Sequence, residues 1–459
     1  MDPIEVFLEA TMNKSFEDFN PEAINSAKSG LIDFVGVMLG GVVSQQTKMC
    51  VDLIERWGGV PEATVLATGR KVPRHLAMLA NCTAGGALGY DEVHERARLH
   101  GMSAVVPAAM AFSEMTRIDG KSFITSIIIG YELVARMGLA INAEPGATGF
   151  ATTFQGASLS TALVGSKLLG LDLNITRNAL GIAYSMVAGN QEVIREGVDM
   201  MVIQQGLSGM NGIIALEMAK IGISGPKEIL SGKYGYFSIY HPGRHSIEAF
   251  TKDLGNKWEI ENMSIKPVPC CKLIQTALQA SLDLRYEYNL SPEQIAEVQV
   301  GVISENFGMI CDPLDVKKKP KTIIDALYSV PYVLSVALTK GEVGLADFTL
   351  EGIARPEVLE FAKLVNPVKD PNLSKSKGTM PAWVNVFLKD GRKLTCHRDA
   401  VKGNPAFPMT DEERNAKFFN CLFYAGYPKQ TADRLLKALE QIENMVNVSD
   451  LIGSCRKDS

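Results

Sequence analysis

The apolar residues of this chain change their spacing twice, and that change constrains the fold more than any other feature. Up to about residue 264 they recur at helical intervals. Asn20-Pro21 reads as an N-cap followed by proline at the first helical position, with Ile24, Leu31 and Val35 recurring behind it. Residues 122–138 put Phe123, Ile127, Tyr131, Val134 and Met137 near one face. Residues 157–170 and 206–219 are rich in small side chains, which let helices approach closely. This part predicts a layered helical bundle. Near Ile265 the style changes. Pro267 and Pro269 break helix, Val298, Val300 and Val302 alternate as in a strand, and residues 383–388 and 393–397 flank Asp390-Gly391, a hairpin turn. Residues 265 to about 401 therefore read as a smaller α+β domain. Thr410 to Glu413 then forms a capping box, and Leu435, Leu436, Leu439 and Ile442 resume an apolar helical stripe. At 459 residues the chain exceeds what one hydrophobic core holds.

Composition excludes several classes. A net charge of −5 argues against a nucleic-acid-binding surface. The one basic cluster, Lys317-Lys318-Lys319-Pro320-Lys321, lacks interleaved aromatics and reads as a solvated loop. The eight cysteines are scattered without a CxxC pair, so no metal site is expected. The N-terminus lacks a secretory apolar core, and residues 124–140 carry Glu132 and Arg136 and read as too short to span a bilayer. The expectation is a cytoplasmic protein with reduced thiols and no membrane partner. No nucleotide-binding glycine motif, HExxH or GxSxG is present.

Chemistry concentrates in residues 89–109, GYDEVHERARLHGMSAVVPAA. Asp91, Glu92, His94, Arg96, Arg98 and His100 crowd one short run before Pro107 and a small-residue helix expected from Ala108 to Met115. Acids, imidazoles and guanidiniums at the mouth of a helix suit proton transfer on an anionic substrate. A solvated loop with surface ion pairs is the competing reading.

That run, together with GYELVARMG, KLLGLD, ALGIAYSMVAGN, GISGPKEILSGKYGY, SIKPVPCCKLIQTALQA and DALYSVPYVLSVAL in this order, resembles the MmgE/PrpD family over almost the whole chain. The resemblance implies a mainly α protein with a large all-helical domain made from both chain ends (1–263 and 402–459). A smaller α+β lid domain would be inserted at 264–401. It also implies a homodimer, a small carboxylic-acid substrate, and neither metal nor organic cofactor.

The family's site residues carry over unevenly. The histidine of its HPS-type motif matches His100, followed here by Gly101 rather than proline. Its acidic segment survives as Gly89-Tyr90-Asp91-Glu92, short of one carboxylate. The histidine of a GFH-type motif is replaced by Ala151, and a Lys-x-x-His pair by Met201 and Gln204. The histidine after the Cys pair becomes Gln275, while Lys266 and Lys272 remain and Tyr328 opens an aromatic-Ser-x-Pro-Tyr motif. The resemblance thus assigns catalysis to His100, Asp91, Lys272 and Tyr328. Substrate contacts fall to His94, Arg96, Arg98, Met201, Gln204 and Gln275, with Arg195 as a further compensating cation. Each lost imidazole removes a group worth on the order of 10²–10⁴ in rate. The losses argue against the usual 2-methylcitrate or cis-aconitate chemistry. Three functions stay open: a lyase abstracting a proton α to a carboxylate, an epimerase acting on a dicarboxylate, and a non-catalytic binding protein.

Overall fold

The computed structural model describes residues 1–142, 149–373 and 380–455. The chain is mainly α and divides into two units. The first comprises Met1–Gln191, Val202–Ile265 and Thr410–Ser459, and the second Glu192–Met201 and Lys266–Met409.

The first unit begins with α1 (Pro3–Thr11), α2 (Pro21–Gly41), α3 (Gln45–Trp57) and α4 (Arg74–Gly86). It continues with α5 (Met102–Ser113), α6 (Gly120–Leu139), α7 (Thr152–Leu168), α8 (Leu173–Ser185) and α9 (Met200–Lys220), of which the first two residues group with the second unit. Asn20 caps α2 by accepting from Ala23 N–H at 2.7 Å, so the Asn-Pro start is used as its chemistry suggests. α6 has 20 residues and is long and apolar enough for a membrane span, more than the sequence reading allowed. With 89% of its apolar window buried, it is a core helix, with Phe123, Ile127 and Tyr131 fully buried.

α5 starts six residues before the position expected for it and carries Pro107 inside. Proline has no N–H to give the carbonyl four residues back, which belongs to Ser103. The thiol of Cys82 donates to that carbonyl instead, at 2.8 Å. A neighbouring helix thus satisfies the acceptor that Pro107 leaves open, and the helix runs through.

The second unit holds α10 (Lys272–Glu287) and α11 (Val330–Lys340) against a four-stranded sheet. Its strands are β1 (Ile295–Ile303), β2 (Val365–Asp370), β3 (Ala382–Leu388) and β4 (Lys393–Arg398), in the order β2-β1-β3-β4. β1 pairs parallel with β2 and antiparallel with β3, and β3 with β4 closes the Asp390-Gly391 hairpin. Val298, Val300, Val384 and Val386 are buried with Ile274, Leu278, Val333 and Ala337 in one core. Two boundaries differ from the sequence reading. The unit extends to Met409, and residues 192–201 group with it, Thr322 Oγ1 donating to the Gly197 carbonyl at 3.1 Å. The basic cluster is a solvated loop only in part: Lys319 and Lys321 are exposed outside any helix. Lys317 lies on a short helix and is buried, and Lys318 donates to Lys363 O and Asn366 Oδ1.

The chain then returns to the first unit as α12 (Asp411–Tyr424) and α13 (Lys429–Glu440). The expected box closes the start of α12: Thr410 accepts from Glu413 N–H, and the Glu413 carboxylate accepts from Thr410 N–H. α12 packs along α2, with Phe418 and Leu422 buried, while Leu435 and Leu439 bury one face of α13. Burial of each such side chain is worth about 1.5–3 kcal/mol.

Candidate active site

The polar run between α4 and α5 is not a solvated loop. Asp91, Glu92, His94 and Glu95 are all buried, and only Arg96 and Arg98 are exposed. Buried charge needs partners, and those partners give the run its shape. Val93 and Ser264 exchange backbone hydrogen bonds at 2.9 and 2.8 Å, and Ser264 Oγ donates to Glu95. The turn 94–99 closes on itself: His94 N–H reaches Leu99 O and Arg98 N–H reaches His94 O. Arg98 adopts a φ of 57°, in the left-handed region that such a tight reversal imposes. The turn sits close on α6 because residue 138 is glycine. A Cβ there would stand 2.4 Å from Ala97 O.

His94 organises this turn. Its Nδ1 accepts from Ala97 N–H at 3.0 Å, and its Nε2 lies 3.1 Å from Glu259 Oε2. An Nδ1 that accepts an N–H carries no proton, so Nε2–H is the donor to Glu259. Glu259 N–H in turn donates to Glu132, which pairs with Arg136 at 2.5 Å. The Arg136 guanidinium also caps the carbonyls of Phe250, Lys252 and Lys257. Burial pushes the Glu132 carboxyl up to about 7, with Arg136 and the Glu259 N–H pulling the other way. Both nitrogens of His94 are thus engaged inside the protein, and its ring is fully buried.

His100 is placed differently. Its Nδ1 stands 2.5 Å from the Glu92 carbonyl and 3.0 Å from Asp91 Oδ2. A carbonyl only accepts, so Nδ1 holds a proton shared between these two oxygens. That leaves Nε2 as the nitrogen with a lone pair in the neutral ring, and the side chain is 27% exposed. The backbone is held as well. His100 N–H donates to Thr153 Oγ1, and Ser103 Oγ donates to His100 O. Glu92 Oε1 accepts Met102 N–H at 2.8 Å, a carboxylate at the start of α5 where the helix dipole favours it.

The other sequence candidates fall into three groups. Arg96 and Arg98 are exposed. Gln204 spends its amide on the backbone of Asn190, accepting from its N–H at 3.2 Å and donating to its carbonyl at 3.1 Å. Gln275 similarly donates to Val268 O and Cys270 O. In the second unit, Met201 is partly buried and Arg195 pairs with Glu192. There Cys271 N–H donates to Leu327 O at 3.0 Å, which ties the start of α10 to the residue before Tyr328. Lys272 is buried at the first position of α10, and Tyr328 is partly buried. Burial pushes the neighbouring Cys270 thiol up to about 12, so it is a packed thiol rather than a nucleophile. Among the described residues no group of three His, Cys, Asp or Glu side chains converges as metal ligands would. Thr153 and Glu259 were missed by sequence reasoning. They come from distant segments with no local signal.

Residues 7–247 match the MmgE/PrpD N-terminal domain family, and residues 268–443 the MmgE/PrpD C-terminal domain family. Cis-aconitate decarboxylase of Aspergillus terreus is 26% identical over 406 residues, covering 83% of this chain and 82% of its own length. Cis-aconitate decarboxylase-like protein oryM of Aspergillus oryzae is 23% identical, covering 95% and 93%. The mouse cis-aconitate decarboxylase is 24% identical, covering 93% and 88%.

Proposed function

The chain belongs to the MmgE/PrpD family, and from that premise we propose that it is a cofactor-independent lyase for a small carboxylic acid, with His100 as its base. The family relatives are lyases, which supports the reaction class. One observation carries the assignment of the base. Asp91 and the Glu92 carbonyl hold the Nδ1 proton of His100 and leave Nε2 able to accept one. In the proposed step Nε2 takes the proton α to a carboxylate, and the Asp91 carboxylate stabilises the imidazolium that forms. The electron pair left on carbon then expels a β-hydroxyl, which leaves as water with a proton from the site. Where a bond to a carboxyl group breaks instead, no proton is abstracted: carbon dioxide departs, and the carbanion left behind takes a proton that His100 Nε2 has bound beforehand from solvent.

The substrate is proposed to differ from the tricarboxylate named for the relatives. Residue 151 is alanine, residue 201 is methionine, and both ends of the Gln204 amide are committed to Asn190. These positions offer no free cation or imidazole, so an acid with fewer carboxylates fits the chain better. The test is a thermal-shift screen of di- and tricarboxylic acids, cis-aconitate included. Each acid that binds is then incubated in D2O and followed by NMR. Loss of water or carbon dioxide supports the proposal. Deuterium entering with inversion and no net loss would replace it with an epimerase, and binding without either would leave a non-catalytic protein.

A further inference from the structure

Beneath the turn that carries Asp91 lies a buried ion pair to which the reading above gives no part. Lys417, on α12, places its Nζ 2.6 Å from Asp33 Oδ1 on α2, and the two side chains are 2% and 0% exposed. The same ammonium donates to the Tyr90 carbonyl at 2.8 Å and stands 4.0 Å from the centroid of the Tyr90 ring. Two buried charges are costly to desolvate, and apolar residues of the same volume often do as well for stability. Stability alone is therefore a weak reason for the pair. Its geometry supplies a stronger one. The Tyr90 carbonyl belongs to the peptide unit whose nitrogen is that of Asp91, and that unit is planar. Fixing its oxygen fixes where the backbone of Asp91 starts, the residue whose own carboxylate holds His100.

We propose that Lys417 is a positioning residue: through the Tyr90 carbonyl and ring it sets the Asp91 carboxylate against His100 Nδ1, with Asp33 holding the ammonium in place. Loop residues drift unless something fixes them, and a misplacement of about 1 Å can cost on the order of a hundredfold in rate. The anchor comes from a segment 327 residues from Tyr90. The cation–π contact and the hydrogen bond act on one residue, so ring and carbonyl cannot rotate independently.

The inference rests on reading His100 as the activated base, and its test needs no substrate. Diethyl pyrocarbonate acylates a neutral imidazole nitrogen, and mass spectrometry follows its rate at His100 against the exposed His397 as an internal reference. Asp91→Asn should slow acylation of His100 several-fold by removing the carboxylate behind Nδ1. Lys417→Met should slow it by nearly as much, and the Asp91→Asn/Lys417→Met double variant no further. If Lys417→Met does not fold, Asp33→Asn/Lys417→Met removes both charges together and serves in its place. An unchanged or faster rate at His100 in the folded variant overturns the proposal, because mere loosening exposes the ring. Additive losses also overturn it, and so does failure of both variants to fold, since the anchor is then structural for the whole unit. A wild-type His100 that reacts readily while no acid turns over would sink the lyase reading and leave the positioning intact.

Discussion

The ring of Tyr131 occupies the place that a side chain on residue 101 would need: a Cβ built on Gly101 would stand 2.5 Å from Tyr131 Cδ2. Gly101 follows His100 directly, where the family resemblance has proline. Its φ of −76° suits proline, and its N–H makes no hydrogen bond among the described residues. The obstacle is the buried aromatic ring on α6.

Gly101→Ala should therefore destabilise the first unit by about 1–3 kcal/mol, the cost of overpacking a tight core. Gly101→Pro should cost at least as much. Combining either with Tyr131→Leu should recover part of the loss. Denaturant unfolding of the single and double variants measures the coupling, and strict additivity would mean that the ring is not the obstacle.

His100→Gln should lower turnover about a hundredfold or more, in line with removing one general base. Asp91→Asn should lower it less, since the Glu92 carbonyl still holds the Nδ1 proton. Unfolding curves should stay close to wild type for His100→Gln. The measurement is kcat on the acid that the ligand screen identifies, and unchanged turnover in His100→Gln would move the chemistry elsewhere.

Glu132 makes a pH-dependent contribution whose sign is fixed. Its carboxyl is raised from 4.5 to about 7 by burial, so between those values the folded chain holds a proton that the unfolded chain gives up. The stabilisation is complete below pH 4.5 and fades as pH rises through about 7. Glu132→Gln keeps a neutral hydrogen-bonding group without the titration. The difference in unfolding free energy, wild type minus variant, should fall across this window by on the order of 3 kcal/mol at most. A difference that rises with pH would mean that Arg136, Glu259 and His94 hold the carboxylate ionised.

Activity should survive dialysis against EDTA. Neither the cysteine spacing nor the arrangement of the described acidic and imidazole side chains provides a metal cage. Stoichiometric zinc or iron in the purified protein, with activity lost on its removal, would contradict this.

What could be read from the sequence was local. Asn20 and Thr410 announce helix starts because a cap is made within three residues, and Asp390-Gly391 announces a hairpin because the turn itself demands those residues. The polar run at 89–109 was conspicuous, but its burial was not readable. Glu259 lies 165 residues from His94 and Lys417 farther still from Tyr90, so nothing near the run says which charges are matched. The start of α5 was misjudged for the same reason. Pro107 looks like a boundary until Cys82 is seen to supply the missing donor. Gln204 and Gln275 looked like substitutes for catalytic groups, and only the fold shows their amides tied to backbone.

The discontinuity of the first unit has a consequence for how the protein is made. Residues 266–409 leave the ribosome before α12 and α13 exist, so the second unit, already supplied with residues 192–201, can close first. Until then α2 waits with Asp33 and the apolar surface later covered by Phe418 and Leu422 open to water. Such surface invites aggregation during synthesis. The helices that follow the second unit are therefore the ones that seal the core, and a chain stopped near residue 409 is left without the lysine beneath Tyr90.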